Sequence, residues 1–425
     1  MTPHTLGLGV GVGVGVGVGV GVGVGVGVAV GTAVGVLKLM TIVRSGSPLP
    51  LQANATETAT TASTTPSGHQ RRTPTLLTNT DSYNARALHR VTEAARARIG
   101  GRTIMAIVFL GTPSFAVPSL RRLVDDGFDI KAVYTQPDRP AGRGRHPTPP
   151  PIKSAALEIG LPVRQPDSLR DPSTLTELAS LHPEAAVGVA FGQILRQEVL
   201  EIPSKGVLNV HPSLLPRHRG ASPAPAAILA GDRETGVTII LMDPGMDSGP
   251  ILAQRRLPID DSDTAGTLME KLSHVAADLM AETLPRWLRD EIEPQPQDHS
   301  LATKAPLLKK EHGAIDWSLA ADEIWRRVRA YNPWPGAYTT LDGKLLHIWE
   351  AWPLADGEAA PGTVVALSAE QQAGLPPATD QGAFGVATGE GVLAVLAVQR
   401  EGRRRLTASD FLRGMREFIG RRLGE

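Results

Sequence analysis

From residue 107 to residue 288, short apolar runs alternate with longer amphipathic stretches, and this alternation limits the fold more than any other feature of the chain. Ile107-Val108-Phe109-Leu110 closes on Gly111-Thr112-Pro113, as a buried strand does at its end. A helix capped by Ser114 and running to about Asp126 is expected next, then a strand over 130–135. Residues 151–160 suit a helix, with Pro151 at its start and Gly160 at its end. Further apolar runs at 185–190, 206–210 and 237–242 read as strands, the last rich in β-branched residues. Strands separated by helices pair in parallel. The expected fold class is therefore α/β, a Rossmann-like domain with a mostly parallel sheet over residues 104–292.

The pattern changes after Glu291. Residues 293–308 are rich in Pro and charge, as a linker is. Ser318 is placed to cap an amphipathic helix through Ala330. Two apolar runs flanking Asp342-Gly343 predict a hairpin. Short β segments follow at 362–367, 385–388 and 392–398, so residues 309–425 fit a small β-barrel domain. The last 26 residues carry eight Arg against four acids, expected on a final helix.

No cysteine is present among 425 residues, which excludes disulfides and thiolate metal sites. The eleven histidines form no His-x-x-x-His or His-Glu-x-x-His pair, so no metal is expected. The net charge is zero, but it is unevenly spread. Residues 1–103 hold nine Lys/Arg and three Asp/Glu; the rest holds 34 and 40. A polyanionic partner of the acidic body must meet local basic patches.

Residues 6–36 alternate Gly and Val almost without interruption. The run is long enough to span a bilayer, yet half glycine disfavours a helix. It is read as low complexity, ahead of a membrane anchor. Residues 45–103 have the composition of a disordered linker, and Arg86, Arg90, Arg96, Arg98 and Arg102 with few acids also suit a transit peptide. Residues 1–103 are taken as a segment the mature protein need not contain, with the functional chain beginning near Met105.

Chemistry concentrates in Gly206-Val207-Leu208-Asn209-Val210-His211-Pro212-Ser213-Leu214-Leu215-Pro216-Arg217-His218-Arg219-Gly220. Residues i and i+2 of a strand share a face, so Asn209 and His211 emerge together at a strand end. Alone, His211 would read first as a core or capping histidine; its neighbours change that reading. About thirty residues on, Met242-Asp243-Pro244-Gly245-Met246-Asp247-Ser248-Gly249-Pro250 is a Gly-rich turn able to return a carboxylate to that spot. Asp243 and Asp247 compete for this role. Asn, His and Asp together can move protons and stabilise an oxyanion. The first turn lacks Gly-x-Gly-x-x-Gly, so a nicotinamide phosphate cradle is poorly supported.

Phe109-Leu110-Gly111-Thr112-Pro113, Gln136-Pro137-Asp138-Arg139-Pro140-Ala141-Gly142-Arg143-Gly144, the two segments above, Ile315-Asp316-Trp317-Ser318 and Tyr331-Asn332-Pro333-Trp334-Pro335 occur in that order. The set resembles the folate-dependent formyltransferases, and within them the branch that acts on charged tRNA. The resemblance runs from about Met105 to Glu425. It implies formyl transfer from 10-formyltetrahydrofolate, a cosubstrate, to the α-amine of initiator methionyl-tRNA, with no metal. It implies that Asn209 and His211 hold the oxyanion. The family's Leu-Asp-x-Gly pattern falls on Met246-Asp247-Ser248-Gly249 and selects Asp247 as their proton-handling partner. Ser213, Leu214, Leu215 and Pro216 would contact the folate, with Phe191, Gly192, Gln193, Ile194 and Leu195 lining the pterin pocket. Arg139, Arg143 and Arg145 would touch the tRNA acceptor arm, Arg143 foremost. The second domain would be oligonucleotide-binding-like and grip tRNA. Folate and tRNA are then the expected partners, with no stable protein partner and no membrane. A cytoplasmic location is expected, the mitochondrial matrix being the alternative. Formyl transfer to a small amine, formyltetrahydrofolate hydrolysis, and a non-catalytic folate- or RNA-binding module remain the other readings.

Overall fold

The computed structural model describes residues 105–141, 146–376 and 382–425. The expectations for residues 1–103 and for Arg143 and Arg145 lie outside these described residues.

β1 (Ala106–Gly111) is buried almost throughout and lies in the interior of the first domain's sheet. It pairs in parallel with β2 (Asp129–Tyr134), and the short ladder of β3 (Arg139–Ala141) with β4 (His146–Thr148) follows. β5 (Val163–Arg164) extends the sheet beyond β2. β6 (Ala185–Val189) lies on the other side of β1, then β7 (Val207–His211), both parallel to it. The short β8 (Arg219–Gly220) leaves this sheet. β9 (Glu234–Leu241) and β10 (Ile251–Pro258) return antiparallel, giving the order β10-β9-β7-β6-β1-β2-β5. Five parallel strands and a two-strand antiparallel edge agree with the α/β expectation.

The continuous β-branched and leucine runs of β1, β6 and β7 follow from burial on both faces. One face packs on the helix Ala265–Leu288, where Leu268, Leu272, Ala276 and Met280 are buried with Ile107, Val187 and Ile239. The opposite face packs Val108, Leu110 and Ala186 against Leu169, Leu178 and Val199. The helix Ala265–Leu288 starts with a capping box between Thr264 and Thr267. Two expected caps are not made. Ser114 lies inside a short 3-10 turn before the helix Val117–Asp125, and the helix Ala321–Ala330 starts from Ala320, three residues after Trp317. Ser318 instead donates its hydroxyl to Asp316 in a tight turn, a local alternative that serine often takes.

β11 (Lys304–Ala305) precedes the second domain and pairs with β8. β12 (Ala337–Leu341) and β13 (Lys344–Leu354) form the expected hairpin, with Asp342 and Gly343 both at positive φ. β14 (Val364–Val365), β15 (Phe384–Ala387) and β16 (Val392–Arg400) complete the antiparallel order β12-β13-β16-β15-β14, and β17 (Arg405–Thr407) adds to β16. The chain end then bridges the two outer strands. Val364 N–H donates to Arg421 O, and Gly424 N–H donates to Thr340 O. This closes the sheet around Trp317, Ile348, Phe384, Val395 and Phe418. The arginine-rich end is therefore mostly tail and turn, and the final helix is only Ala408–Arg413.

The helix Ala321–Ala330 joins the domains. Arg329 is buried; its Nε donates to Asp263 O (2.7 Å) and its Nη2 to Asp260 O (2.6 Å). Its guanidinium lies 4.4 Å from the centre of Trp325. In the Tyr331-Asn332-Pro333-Trp334-Pro335 corner, Tyr331 is buried and Asn332 donates its amide to Trp349 O, while Trp334 is 55% exposed.

Candidate active site

β7 carries Asn209 and His211 on one face and ends at His211. Asn209 sits opposite Gly188 of β6. A Cβ at Gly188 would stand 3.4 Å from Asn209 Oδ1, so glycine leaves room around the amide. That amide is half-buried and makes no hydrogen bond among the described residues.

His211 is 3% exposed. Its Nε2 lies 2.9 Å from His218 O, and its Nδ1 lies 3.5 Å from Asp247 Oδ1. A neutral imidazole has one N–H for these two acceptors. The shorter contact takes it, so Nε2–H donates to His218 O and Nδ1 turns its lone pair toward Asp247. Burial pushes the His211 pKa below its ordinary 6.5, against the opposing pull of the Asp247 charge and the His218 carbonyl.

Asp247 reaches this point through the loop between β9 and β10. The loop leaves the sheet beside Val207, where Met242 N–H donates to Val207 O. Asp247 takes a left-handed φ of 50°, and its Oδ2 accepts from Gly220 N–H at 2.8 Å. Asp243, the competing carboxylate, is used up in the turn, accepting from Ser248 Oγ and Gly245 N–H. Geometry thus brings Asn209, His211 and Asp247 together and leaves Asp243 aside.

The expected folate residues divide. Ser213 is buried and donates to Arg217 O; Leu215 is buried, and its N–H donates to Thr238 Oγ1. Both residues brace the loop. Leu214 and Pro216 are only partly buried, and the Leu214 side chain packs against Gly236. Beyond β6, Phe191 is buried, and its carbonyl accepts from Thr112 Oγ1 at 2.7 Å. Gln136 N–H in turn donates to Thr112 Oγ1, which ties together the carboxyl ends of β1, β2 and β6. Gly192 has φ 86°, Gln193 is held by Leu169 N–H, Leu195 is buried, and Ile194 is 72% exposed. Met246, next to Asp247, is 69% exposed. Open apolar side chains beside polar main-chain turns suit a flat heterocycle. Arg139 is exposed and donates to Gln136 Oε1.

Several site residues carry no local sequence signal. Gln297 and Thr303 come from the segment whose composition reads as a linker. Gln297 donates to Asp247 O (2.9 Å) and Gly249 O (2.7 Å) and accepts from Arg219. Thr303 Oγ1 accepts from His218 N–H at 2.8 Å. His218 itself is buried at φ 61°, with Nε2 2.7 Å from Asp232 Oδ2. Among the described residues no group of three or more His, Asp or Glu is placed to hold a metal ion. No helix of the described residues is long and apolar enough to cross a membrane.

Residues 105–284 match the family model described as formyl transferase, and residues 307–416 match that described as formyl transferase, C-terminal domain. A methionyl-tRNA formyltransferase of Chloroflexus aurantiacus is 51% identical over 312 residues, covering 73% of this chain and 97% of the relative. That of Methylococcus capsulatus is 46% identical over 321 residues, covering 75% and 100%. Among solved structures, an N-formyltransferase from Helicobacter canadensis in complex with folinic acid and dTDP-3-aminofucose covers 70% of this chain and 100% of its own, with TM-score 0.52 and 18% identity. That likeness shows the fold alone. With both domains matched in order and relatives near half identity covered along nearly their full length, the chain belongs to the formyl transferase family.

Proposed function

We propose that the chain transfers the formyl group of 10-formyltetrahydrofolate to the α-amine of initiator methionyl-tRNA, with Asn209, His211 and Asp247 at the reacting centre. The observation that carries this reading is the buried His211, held between the His218 carbonyl and Asp247 beside an Asn209 amide that makes no hydrogen bond among the described residues. The amine nitrogen attacks the formyl carbon, a C–N bond forms and the carbonyl oxygen becomes an oxyanion. The amine proton passes through water to Asp247 and to the Nδ1 lone pair of His211. The positive charge of the resulting imidazolium and the Asn209 amide N–H stabilise the oxyanion, in a setting screened from water where charge acts most strongly. Collapse breaks the bond to N10 of the folate, and the proton returns to that nitrogen.

Main-chain groups around Gly192, with Ile194, Leu214 and Pro216, would hold the folate; Arg139, Arg143 and Arg145 would meet the acceptor arm. A tRNA substrate places the reaction where translation occurs, in the cytoplasm or the mitochondrial matrix. The second domain speaks against a small-amine acceptor, since a small amine needs no such surface. The test supplies formyltetrahydrofolate with methionyl-tRNA, with free amino sugars and amino acids, or with water alone. Formylmethionyl-tRNA is the expected product. Turnover with a small amine or water and none with methionyl-tRNA would overturn the reading.

A further inference from the structure

We infer that the segment joining the two domains is a working part of the active site, with Gln297 and Thr303 as positioning residues for Asp247 and His211. The inference rests on the function proposed above. Both catalytic side chains are clamped by one short stretch, residues 218–220. His218 O takes the Nε2–H of His211, and Gly220 N–H holds Oδ2 of Asp247. This stretch lies outside the main sheet, so something else must fix it.

The joining segment does so at several points. Thr303 Oγ1 accepts from His218 N–H and Thr303 O accepts from Arg219 N–H. Lys304 and Ala305 then pair with Arg219 and Gly220 as β11 on β8. Gly220 has φ 122°, and a Cβ there would come within 2.5 Å of Ala305 O, so the two backbones are in close contact. Gln297, 6% exposed, spans the gap between the clamp and the Asp247 loop. Its Nε2 donates to Asp247 O and Gly249 O, while its Oε1 accepts from Nε and Nη2 of Arg219. Both donors and both acceptor directions of this buried amide are thus committed to the two halves of the site. Neither residue reaches the reacting atoms; each acts through main-chain groups that hold a catalytic side chain.

The test uses the full chain and steady-state formylation of methionyl-tRNA. Gln297→Met and Thr303→Val keep the side-chain volume and remove the hydrogen bonds. Each should lower kcat roughly 10- to 100-fold, the scale of a small misplacement at a reacting centre. KM for the folate and for tRNA should stay within about twofold, because neither side chain touches a substrate. Thr303→Ser, which keeps the hydroxyl, should recover most of the missing kcat. Residues acting through one group do not add, so Gln297→Met in an Asp247→Asn background should cost less than about twofold more. Unchanged kcat in both Gln297→Met and Thr303→Val, or the same factor of decrease with and without Asp247, would overturn the inference. Failure of the parent chain to formylate methionyl-tRNA would overturn the functional reading instead.

Discussion

In the proposed reaction His211 acts as a base and then as a donor, and its surroundings set when it can do either. Burial holds its pKa below 6.5, so the ring is neutral at pH 7 and free to take a proton at Nδ1. Apart from the limb set by the α-amine of the substrate, at about pH 8 or somewhat below as a free amine, the kcat/KM profile should show the limb that belongs to His211 only below pH 6.5. A limb centred above pH 7 that disappears in His211→Ala would contradict this. The same shift bears on stability. Folding depresses this pKa, so the unfolded chain binds the proton more readily. The contribution is complete above the unfolded value of 6.5 and is lost as pH falls from there through the lower folded value. Asn209→Ala and Asp247→Ala should each reduce kcat by roughly 100-fold or more, the scale of a lost oxyanion donor or proton-transfer group. Their double variant should be little slower than the worse single one in the same assay. Asn209 and His211 are legible in the sequence because strand spacing alone puts them on one face. The choice between Asp243 and Asp247 is not legible from the turn itself, since both carboxylates sit within it. Space separates them: one serves Ser248 and the other faces His211.

At the scale of elements, β8 and β11 have two residues each, yet they carry the clamp on the site. Gly220→Ala meets both a left-handed φ and Ala305 O. It should destabilise the chain by about 1–3 kcal/mol, the usual cost of such backbone strain, read as a lowered denaturant midpoint. An unchanged midpoint would show that the two strands separate freely. These elements are hidden in the sequence for a physical reason. Two-residue strands have no periodicity, and Gln297 and Thr303 act through main-chain contacts with residues 50 and 85 positions away. The longer parallel strands are plain, because burial on both faces requires unbroken apolar runs. The final helix is shorter than its composition suggests. Its charged residues suit a helix surface, but the chain end spends its backbone groups on closing the barrel.

On the scale of the whole molecule, an acidic body must hold a polyanion. Of the arginines near the chain end, Arg405, Arg413, Arg421 and Arg422 pair with Glu350, Asp410, Asp342 and Glu425. Arg403, Arg404 and Arg416 form no ion pair among the described residues, and so are the better placed for phosphates. Replacing these three with Ala should weaken tRNA binding and flatten its log–log salt dependence by up to about 0.9 for each phosphate no longer neutralised. Binding curves at several salt concentrations check this, and an unchanged slope would move the tRNA to another face. Arg329 ties the second domain to the first through Asp263 O and Asp260 O. In the proposed reaction His211 handles the proton and supplies charge to the oxyanion during formyl transfer to methionyl-tRNA. Single-turnover formylation at saturating folate and tRNA tests it most directly, comparing the parent chain with His211→Ala. A rate lowered by roughly 100-fold or more with both substrates still bound is the predicted result. A His211→Ala rate close to that of the parent would contradict the account.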